Sequence, residues 1–340
     1  MKTPKAITII KNYHKALAPI CLSALATQLS AFTFDNAGGD NYWGNGANWV
    51  GGSFPDGVDT VASLQKSGIN VNQKLILANS AGVDQSFTVG TLTLGSGGGG
   101  GASSHSYEVN NVSGGSASLV FQTTSGSATL NYQNLFANPT MEINTGVILN
   151  SNLNINVKDT SGTFQINGDV SGANGISLVG VGTLRLNGAN TYTGATTLTS
   201  GTLLLGAADR IADTSAIVFN GGTLSTNGFS DAMGTLQLSA DSAIDLGAGD
   251  SDLSFSDSSA ISWNASTVLN IMNFVEGVDS IRFGTDASGL TNTQLSQIML
   301  NGGSAYIDGS GYLTAVPEVS SFALCGGILV LGYVAIRRRK

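Results

Sequence analysis

The sequence predicts an all-β fold in which successive coils of the chain stack as a parallel solenoid. A repeated motif, an apolar–polar alternation within it and turn-forming residues after it lead to this prediction. The motif Gly-Thr-apolar starts at residues 90, 162, 182, 201, 222 and 234. From residue 162 the steps are 20, 19, 21 and 12 residues, and three near-equal steps of about 20 are typical of stacked repeats.

The alternation predicts strands whose apolar side chains share one face. In "GTLRLNG", Leu184 and Leu186 point to one side, and Thr183 and Arg185 point to the other. Aligned copies give two inward columns, which are Phe164, Leu184, Leu203 and Leu224, and Ile166, Leu186, Leu205 and Thr226. At about 4.8 Å between strands, residues 32–315 have room for roughly ten to fourteen coils.

Asn-Gly pairs at 167–168, 187–188 and 227–228 follow three of these strands. We expect them to turn the chain at corners, where a positive φ costs little. A leucine-rich repeat has a similar period, but the sequence shows neither its LxxLxLxxN pattern nor a helical half.

The first 31 residues are typical of a secretory signal peptide, with lysines at the start and a short apolar stretch that ends in small residues. We predict cleavage after Ala31, with Ala26 as the alternative. An uncleaved anchor helix is a further alternative, against which Pro19 and the short apolar span argue. The cysteines, Cys21 and Cys325, lie in the terminal apolar segments. The body between them has no cysteine, so no disulfide is expected there.

The C-terminal segment is predicted to form one transmembrane helix. Ser320 to Ile336 carries no charge, and its length is at the short end of the membrane-spanning range. A buried helix of the body is the alternative, but the segment has no polar face. The cations that follow are expected to stay on the cytoplasmic side, and they are Arg337, Arg338, Arg339 and Lys340.

The tail "VPEVSSFALCGGILVLGYVAIRRRK" closely resembles the PEP-CTERM sorting signal, which joins a Pro-Glu-Pro motif, a short membrane helix and an arginine cluster. Val316, Pro317 and Glu318 match the motif, and Val319 stands where the family has its second proline. The resemblance implies a Gram-negative bacterium, transient residence in the inner membrane and recognition by exosortase. It also implies delivery to the cell surface or extracellular matrix, often beside exopolysaccharide.

The body contains a second resemblance. The stretch "GVGTLRLNGANTYTGATTLTSGTLLLG", residues 180–206, is similar to the autotransporter-associated β-strand repeat of bacterial surface proteins. That family implies a right-handed parallel β-helix. In the Trp- and Asn-rich opening, Trp43, Trp49 and Phe54 are expected to cover the first coil, with stacking on sugar rings as the alternative.

The predicted order is therefore a signal peptide at 1–31, an N-terminal cap and first coils at 32–84, and a β-helix with the repeats at 85–250. Last coils and a C-terminal cap follow at 251–315, and the sorting signal occupies 316–340 with its helix at 320–336. We read "GSGGGGGASS" (95–104) as a bulging loop. Helical spacing at Leu290, Leu295, Ile298 and Met299, after a Thr291 cap, predicts a helix. The stretch 305–313 predicts a hairpin about Asp308-Gly309.

Composition limits the chemistry. Of the 14 basic residues, only six lie between the basic termini, against all 22 acidic ones, so nucleic acid is not an expected partner. His105 is the one histidine after the signal peptide, and no triad or zinc pattern surrounds it. We expect no catalytic residue, metal or cofactor. Solvated carboxylates are expected rather than a calcium site in the densest acidic stretch, at Asp245, Asp250, Asp252 and Asp257, and Arg185 is expected on a solvated face.

These features predict an exported, non-enzymatic surface or matrix protein with a structural or adhesive role in biofilm or exopolysaccharide. The alternative is a β-helical polysaccharide lyase or hydrolase, because parallel β-helices often carry such sites. An autotransporter passenger is a third hypothesis.

Overall fold

The structure is a computed structural model that describes residues 31–64, 73–95, 106–133, 141–158 and 162–316. It is built almost entirely of strands. The first fifteen are β1 Phe32–Thr33, β2 Tyr42–Gly44, β3 Val61–Leu64, β4 Gln73–Asn79, β5 Phe87–Val89, β6 Thr91–Gly95, β7 Tyr107–Asn111, β8 Ser118–Phe121, β9 Ala128–Gln133, β10 Met141–Ile143, β11 Gly146–Leu149, β12 Leu153–Val157, β13 Thr163–Ile166, β14 Val170–Gly172 and β15 Ile176–Leu178.

The remaining strands complete the stack. They are β16 Thr183–Leu186, β17 Thr196–Leu198, β18 Thr202–Leu205, β19 Ile217–Asn220, β20 Thr223–Ser225, β21 Asp231–Met233, β22 Leu236–Ala240, β23 Ser242–Asp245, β24 Asp252–Phe255, β25 Leu269–Met272, β26 Ser280–Phe283, β27 Ile298–Leu300, β28 Gly303–Ile307 and β29 Leu313–Ala315. A 3₁₀ turn occupies Gly46–Asn48, and the one-turn helix α1 spans Asn292–Leu295.

The strands form long parallel sheets. One sheet of nine strands runs β1-β3-β6-β9-β12-β15-β17-β19-β22, and one of thirteen runs β2-β4-β7-β10-β13-β16-β18-β20-β23-β25-β27-β28-β29. A four-strand sheet, β14-β11-β8-β5, and a three-strand sheet, β21-β24-β26, complete the set. Pairing is parallel until the two antiparallel pairs formed by β27, β28 and β29. This stacking is consistent with the predicted β-helix, and its handedness stays a prediction.

The predicted inward columns are present. Phe164 pairs with Leu184, Leu184 with Leu203, and Leu203 with Leu224, and all four side chains are buried. Each such burial stabilises the fold by about 1.5–3 kcal/mol. Thr226, the polar member of the second column, lies beyond the end of β20, and its buried hydroxyl donates to the Leu246 carbonyl at 2.8 Å.

The expected positive-φ corners occur at one Asn-Gly pair only. Asn227 and Gly228 have φ of 55° and 79°, whereas the pairs at 167–168 and 187–188 do not adopt positive φ. The glycines of those pairs serve close stacking instead. A Cβ on Gly168 would lie 1.9 Å from the Thr145 carbonyl oxygen, and one on Gly188 would lie 2.3 Å from that of Gly168. The expectation was wrong there because the neighbouring coil, which the sequence pattern does not display, sets the constraint.

The N-terminal aromatic residues form a buried cluster over the first strands. The Trp43 ring stacks on Phe87 with centroids 5.5 Å apart, and Trp49 meets Phe34 edge to face at 5.2 Å. Their indole nitrogens donate to the carbonyls of Pro55 and Trp43, respectively. Phe54 packs against this cluster and is partly buried. Buried tryptophans offer no open ring face to sugar, so these side chains serve packing.

The predicted C-terminal helix is mostly wrong. Thr291 does cap α1 through a capping box with Gln294, but the helix ends at Leu295. Ile298 and Met299 lie in β27, which pairs with β25 and buries Ile298. Strand pairing and burial outweigh the local helical period. The hairpin is confirmed, because β28 and β29 pair antiparallel across the turn at Asp308–Gly311.

Within the described residues, no helix is both long and apolar enough to cross a membrane. The predicted span 320–336 lies outside them, as do the signal peptide through residue 30, most of the glycine-rich run and His105.

Candidate functional site

The predicted sorting residues fall at the end of the described chain. Val316 follows β29, is 47% exposed, and donates its backbone N–H to the Ser304 carbonyl at 3.0 Å. Pro317, Glu318 and the cations Arg337, Arg338, Arg339 and Lys340 lie outside the described residues. Ala31, the predicted cleavage residue, is exposed and directly precedes β1. The sorting site and the cleavage site stay predictions.

The outward face of the thirteen-strand sheet carries a ladder of asparagines. Asn144 donates its Nδ2–H to Asn110 Oδ1 at 3.0 Å, Asn167 donates to Asn144 at 2.5 Å, and Asn187 donates to Asn167 at 2.6 Å. The next coil has Gly206, where a Cβ would lie 1.7 Å from Asn187 Oδ1. The ladder thus ends where the chain has no side chain, and it ties four coils together on their solvent side.

Arg185 lies on the same outward face, as its position in the motif predicts. Its side chain is half-buried rather than fully solvated, and its Nη2 donates to the Gly206 carbonyl at 3.4 Å. The contact joins adjacent coils, so a structural role accounts for this residue.

The acidic stretch holds no preassembled cation site. Asp245 Oδ1 accepts from the Gly247 N–H at 3.0 Å and from Asn273 Nδ2 at 2.6 Å. Asp250 and Asp252 are exposed. No group of three or more His, Cys, Asp or Glu side chains in the described ranges is arranged to hold a metal ion.

A concave polar surface lies on the three-strand sheet, and we call it the three-strand groove. It consists of two adjoining depressions of about 460 and 300 Å³ that share Ala232, Ser254 and Arg282 on their common wall. Asp213, Asp257 and Asp286 are among the residues that line the larger depression, and Asp209, Asp252 and Tyr312 are among those that line the smaller.

Two of the lining carboxylates are held by short local turns. Asp257 Oδ1 accepts two hydrogen bonds from Ser259, one from the backbone N–H at 2.9 Å and one from the side-chain hydroxyl at 2.7 Å. Asp286 Oδ1 likewise accepts from the Ser288 backbone N–H at 2.8 Å and from the Ser288 hydroxyl at 2.6 Å. The serine side chain, followed by the backbone donor, lowers the pKa of each carboxyl below its ordinary value. Both groups are therefore ionised hydrogen-bond acceptors at neutral pH.

Asp231 also lines the smaller depression, but it differs because it occupies an inward, buried position of β21. It begins β21 opposite the buried Leu253 and is 2% exposed. Its Oδ2 accepts from the N–H groups of Arg210 and Ile211, while Oδ1 has no partner within the described part of the chain. Burial, reinforced by Asp209 and Asp213, raises the pKa of Asp231 to about 7.

The sequence pattern does not predict the groove or the buried polar residues Tyr192, Thr196 and Ser215. Tyr192 shares a hydrogen bond with Thr196, which shares another with Ser215, and all three are buried. Burial raises the pKa of Tyr192 to about 12. The groove residues come from separate segments at 209–213, 230–233, 252–257, 280–289 and 312, and no motif joins them. Their only sequence signal is that the Gly-Thr-apolar motif loses its even spacing after residue 222.

One family model matches a short part of the regular stack. Residues 179–205 match the model of the passenger-associated-transport-repeat, an autotransporter-associated repeat. The match contains β16, β17 and β18 and agrees with the resemblance found in the sequence. It points to a passenger-like surface protein and does not extend to the tail at 316–340. No curated protein and no solved structure matches the chain.

Proposed function

We propose that the protein is an exported, non-enzymatic component of the cell surface or extracellular matrix, with a structural or adhesive role beside exopolysaccharide. The match of the passenger-associated-transport-repeat to one coil and the first strand of the next, within a longer parallel stack, carries this proposal. Stacked coils bury a continuous apolar core and repeat polar columns outward, which provides a long surface for multivalent contact.

In this proposal the C-terminal tail is the sorting signal that directs the solenoid to the cell surface. Exosortase recognises Val316, Pro317 and Glu318 while the helix 320–336 resides transiently in the inner membrane. Arg337, Arg338, Arg339 and Lys340 hold the end on the cytoplasmic side. The exposure of Val316 at the end of β29 supports access of an enzyme to this point.

Mass spectrometry of the mature C-terminus tests the sorting step. The wild-type protein should lose everything after about residues 316–319, and the double variant Pro317→Ala/Glu318→Ala should retain Lys340 and stay in the membrane fraction. Glu276→Gln, an exposed change elsewhere, is the matched control and should process normally. Recovery of the exported wild-type protein with its last four cations intact contradicts the proposal.

The repeat match also favours a second candidate, an autotransporter passenger. That candidate requires an outer-membrane form with heat-dependent electrophoretic migration, which the first proposal does not. A depolymerisation assay on polyuronides and neutral glycans separates both from a lyase or hydrolase, since clear turnover contradicts a non-enzymatic role.

A further inference from the structure

We propose that the three-strand groove binds a neutral, hydroxyl-rich glycan chain, with Arg282 at its centre. This inference rests on the proposed surface or matrix function and names a site and a ligand class for it. The groove lies outside the matched repeat, which ends at residue 205.

Strand register sets the wall that the two depressions share. Ala232 pairs with Ser254, and Ser254 pairs with Arg282, on the outward face of β21, β24 and β26. Two small side chains followed by a long one leave a depression that ends against a guanidinium group. Loops on either side bring Asp213, Asp257 and Asp286 to the larger depression.

Arg282 is available to a ligand. Its guanidinium carbon lies 5.8 Å from the centroid of the Tyr312 ring. Among the described residues, the guanidinium makes no hydrogen bond or ion pair. The backbone bridge between Arg282 and Tyr312 fixes the hairpin against β26. The pair therefore presents five N–H donors beside an aromatic ring that is 37% exposed.

The carboxylates supply acceptors that are already positioned. The serine bonds to Asp257 and Asp286 occupy Oδ1 of each group, and no donor among the described residues reaches Oδ2. A ligand that meets groups held in place loses less conformational entropy on binding. Two oriented acceptors and one unpaired donor thus face the same depression.

The mixture of groups selects the ligand. A carboxylate only accepts hydrogen bonds and a guanidinium only donates them, whereas a hydroxyl does both. Neighbouring sugar hydroxyls can therefore satisfy Arg282 and Asp257 together, and a C–H face can pack on the Tyr312 ring. An anionic sugar would meet an excess of carboxylates, and an ammonium group would meet Arg282 on the shared wall of both depressions.

The same groups favour binding over cleavage. Glycoside hydrolysis needs a carboxylic acid that keeps its proton near neutral pH. Asp257 and Asp286 have lowered pKa values. Asp231, whose pKa is raised, lines the smaller depression but is 2% exposed, on the inward face of β21. Asp257 and Asp286 therefore hold a glycan as hydrogen-bond acceptors rather than as proton donors.

Calorimetric titration of the full chain tests the proposal with cellopentaose, laminaripentaose and maltopentaose as neutral probes. At least one should bind, and Arg282→Gln, Asp257→Asn and Asp286→Asn should each weaken binding about tenfold or more, the loss expected for a charge-assisted hydrogen bond. Arg185→Gln removes an outward arginine from another sheet and should leave binding unchanged. Circular dichroism verifies the fold, and the exposed Asp257 and Asp286 variants remain informative if Arg282→Gln is unstable.

Three results would overturn the proposal. They are the absence of binding by all three neutral probes, tighter binding of a chitosan or galacturonate pentamer, and unchanged affinity in the Arg282→Gln and Asp257→Asn variants. Mass spectrometry of the C-terminus in the same preparation reports separately on sorting. Failure of the glycan-binding proposal can therefore be distinguished from failure of the proposed sorting and surface function.

Discussion

The regular coils, residues 162–206, and the later coils, residues 209–286, share stacked parallel strands but differ in what they bury. In the regular coils, aligned apolar side chains such as Leu184 and Leu203 fill the inward columns of the thirteen-strand sheet. In the later coils, Asp231 occupies an inward position opposite Leu253. Consistency between pattern and packing is typical of a structural repeat, whereas its local breakdown is typical of function or strain. Functional side chains are therefore expected in the later coils, where the repeat spacing becomes irregular.

The largest effect should come from the regular columns. Leu203→Ala removes a fully buried side chain and should lower the free energy of unfolding by about 2–5 kcal/mol. Leu204→Ala, one residue on and facing outward, is the matched control and should cost less than about 1 kcal/mol. Chemical denaturation measures both. Equal losses would show that the two faces of β18 are not distinct.

The later coils should show a pH dependence that Asp231 controls. Because its pKa rises from 3.8 to about 7, the folded state retains its proton more tightly than the unfolded state. Stability from this group is therefore greatest below about pH 4 and falls until about pH 7, by up to about 4 kcal/mol.

Asp231→Asn should flatten that part of the profile of unfolding free energy against pH. Asp252→Asn, at an exposed position of β24, also removes one carboxylate and should keep the wild-type slope. Asp209 and Asp213, whose charges act on Asp231, stay unchanged in both variants. A wild-type profile in Asp231→Asn would contradict the assignment.

Close stacking of the regular coils should make Gly168 intolerant of a side chain. Gly168→Ala places a Cβ against the Thr145 carbonyl oxygen and should destabilise the fold by about 1–3 kcal/mol. Gly309→Ala, where no atom lies within 4 Å of the added Cβ, should be within about 0.5 kcal/mol of wild type. Thermal unfolding distinguishes them, and a neutral Gly168→Ala would mean that the coils can separate locally.

The smallest effect should come from the asparagine ladder. Asn167→Ala breaks bonds to Asn144 and Asn187 on a partly exposed face and should cost about 1 kcal/mol. Asn154→Ala is the control, because Asn154 faces outward on β12 and makes no side-chain hydrogen bond with the described residues. A loss no larger than the control's would show that the ladder adds nothing to stability.

The regular part of the fold was predictable because its information is local. Alternation in "GTLRLNG" identifies the inward side chains, and equal spacing aligns Leu184 with Leu203. The predicted C-terminal helix failed because a neighbouring strand determines the local structure there. Ile298 has helical spacing with Leu295, yet it joins β27 because β25 offers a partner edge and a buried position.

The candidate groove could not be predicted in the same way. Ala232, Ser254 and Arg282 are joined only by strand register, and Tyr312 reaches them through the hairpin that ends the stack. No spacing rule connects residues whose separation depends on the lengths of irregular loops. The irregular spacing of the repeat indicates that the later coils differ from the regular ones. It does not identify which residues come together in the groove.

The sequence alone determined the strand period, the inward columns and the acidic character of the body, because these follow from residue types at short, regular separations. Tertiary structure decided which glycines must lack a side chain, which carboxylates are buried and which polar groups share the groove. Those properties arise only when coils stack at backbone distance, so the chemistry of each residue depends on atoms of another coil.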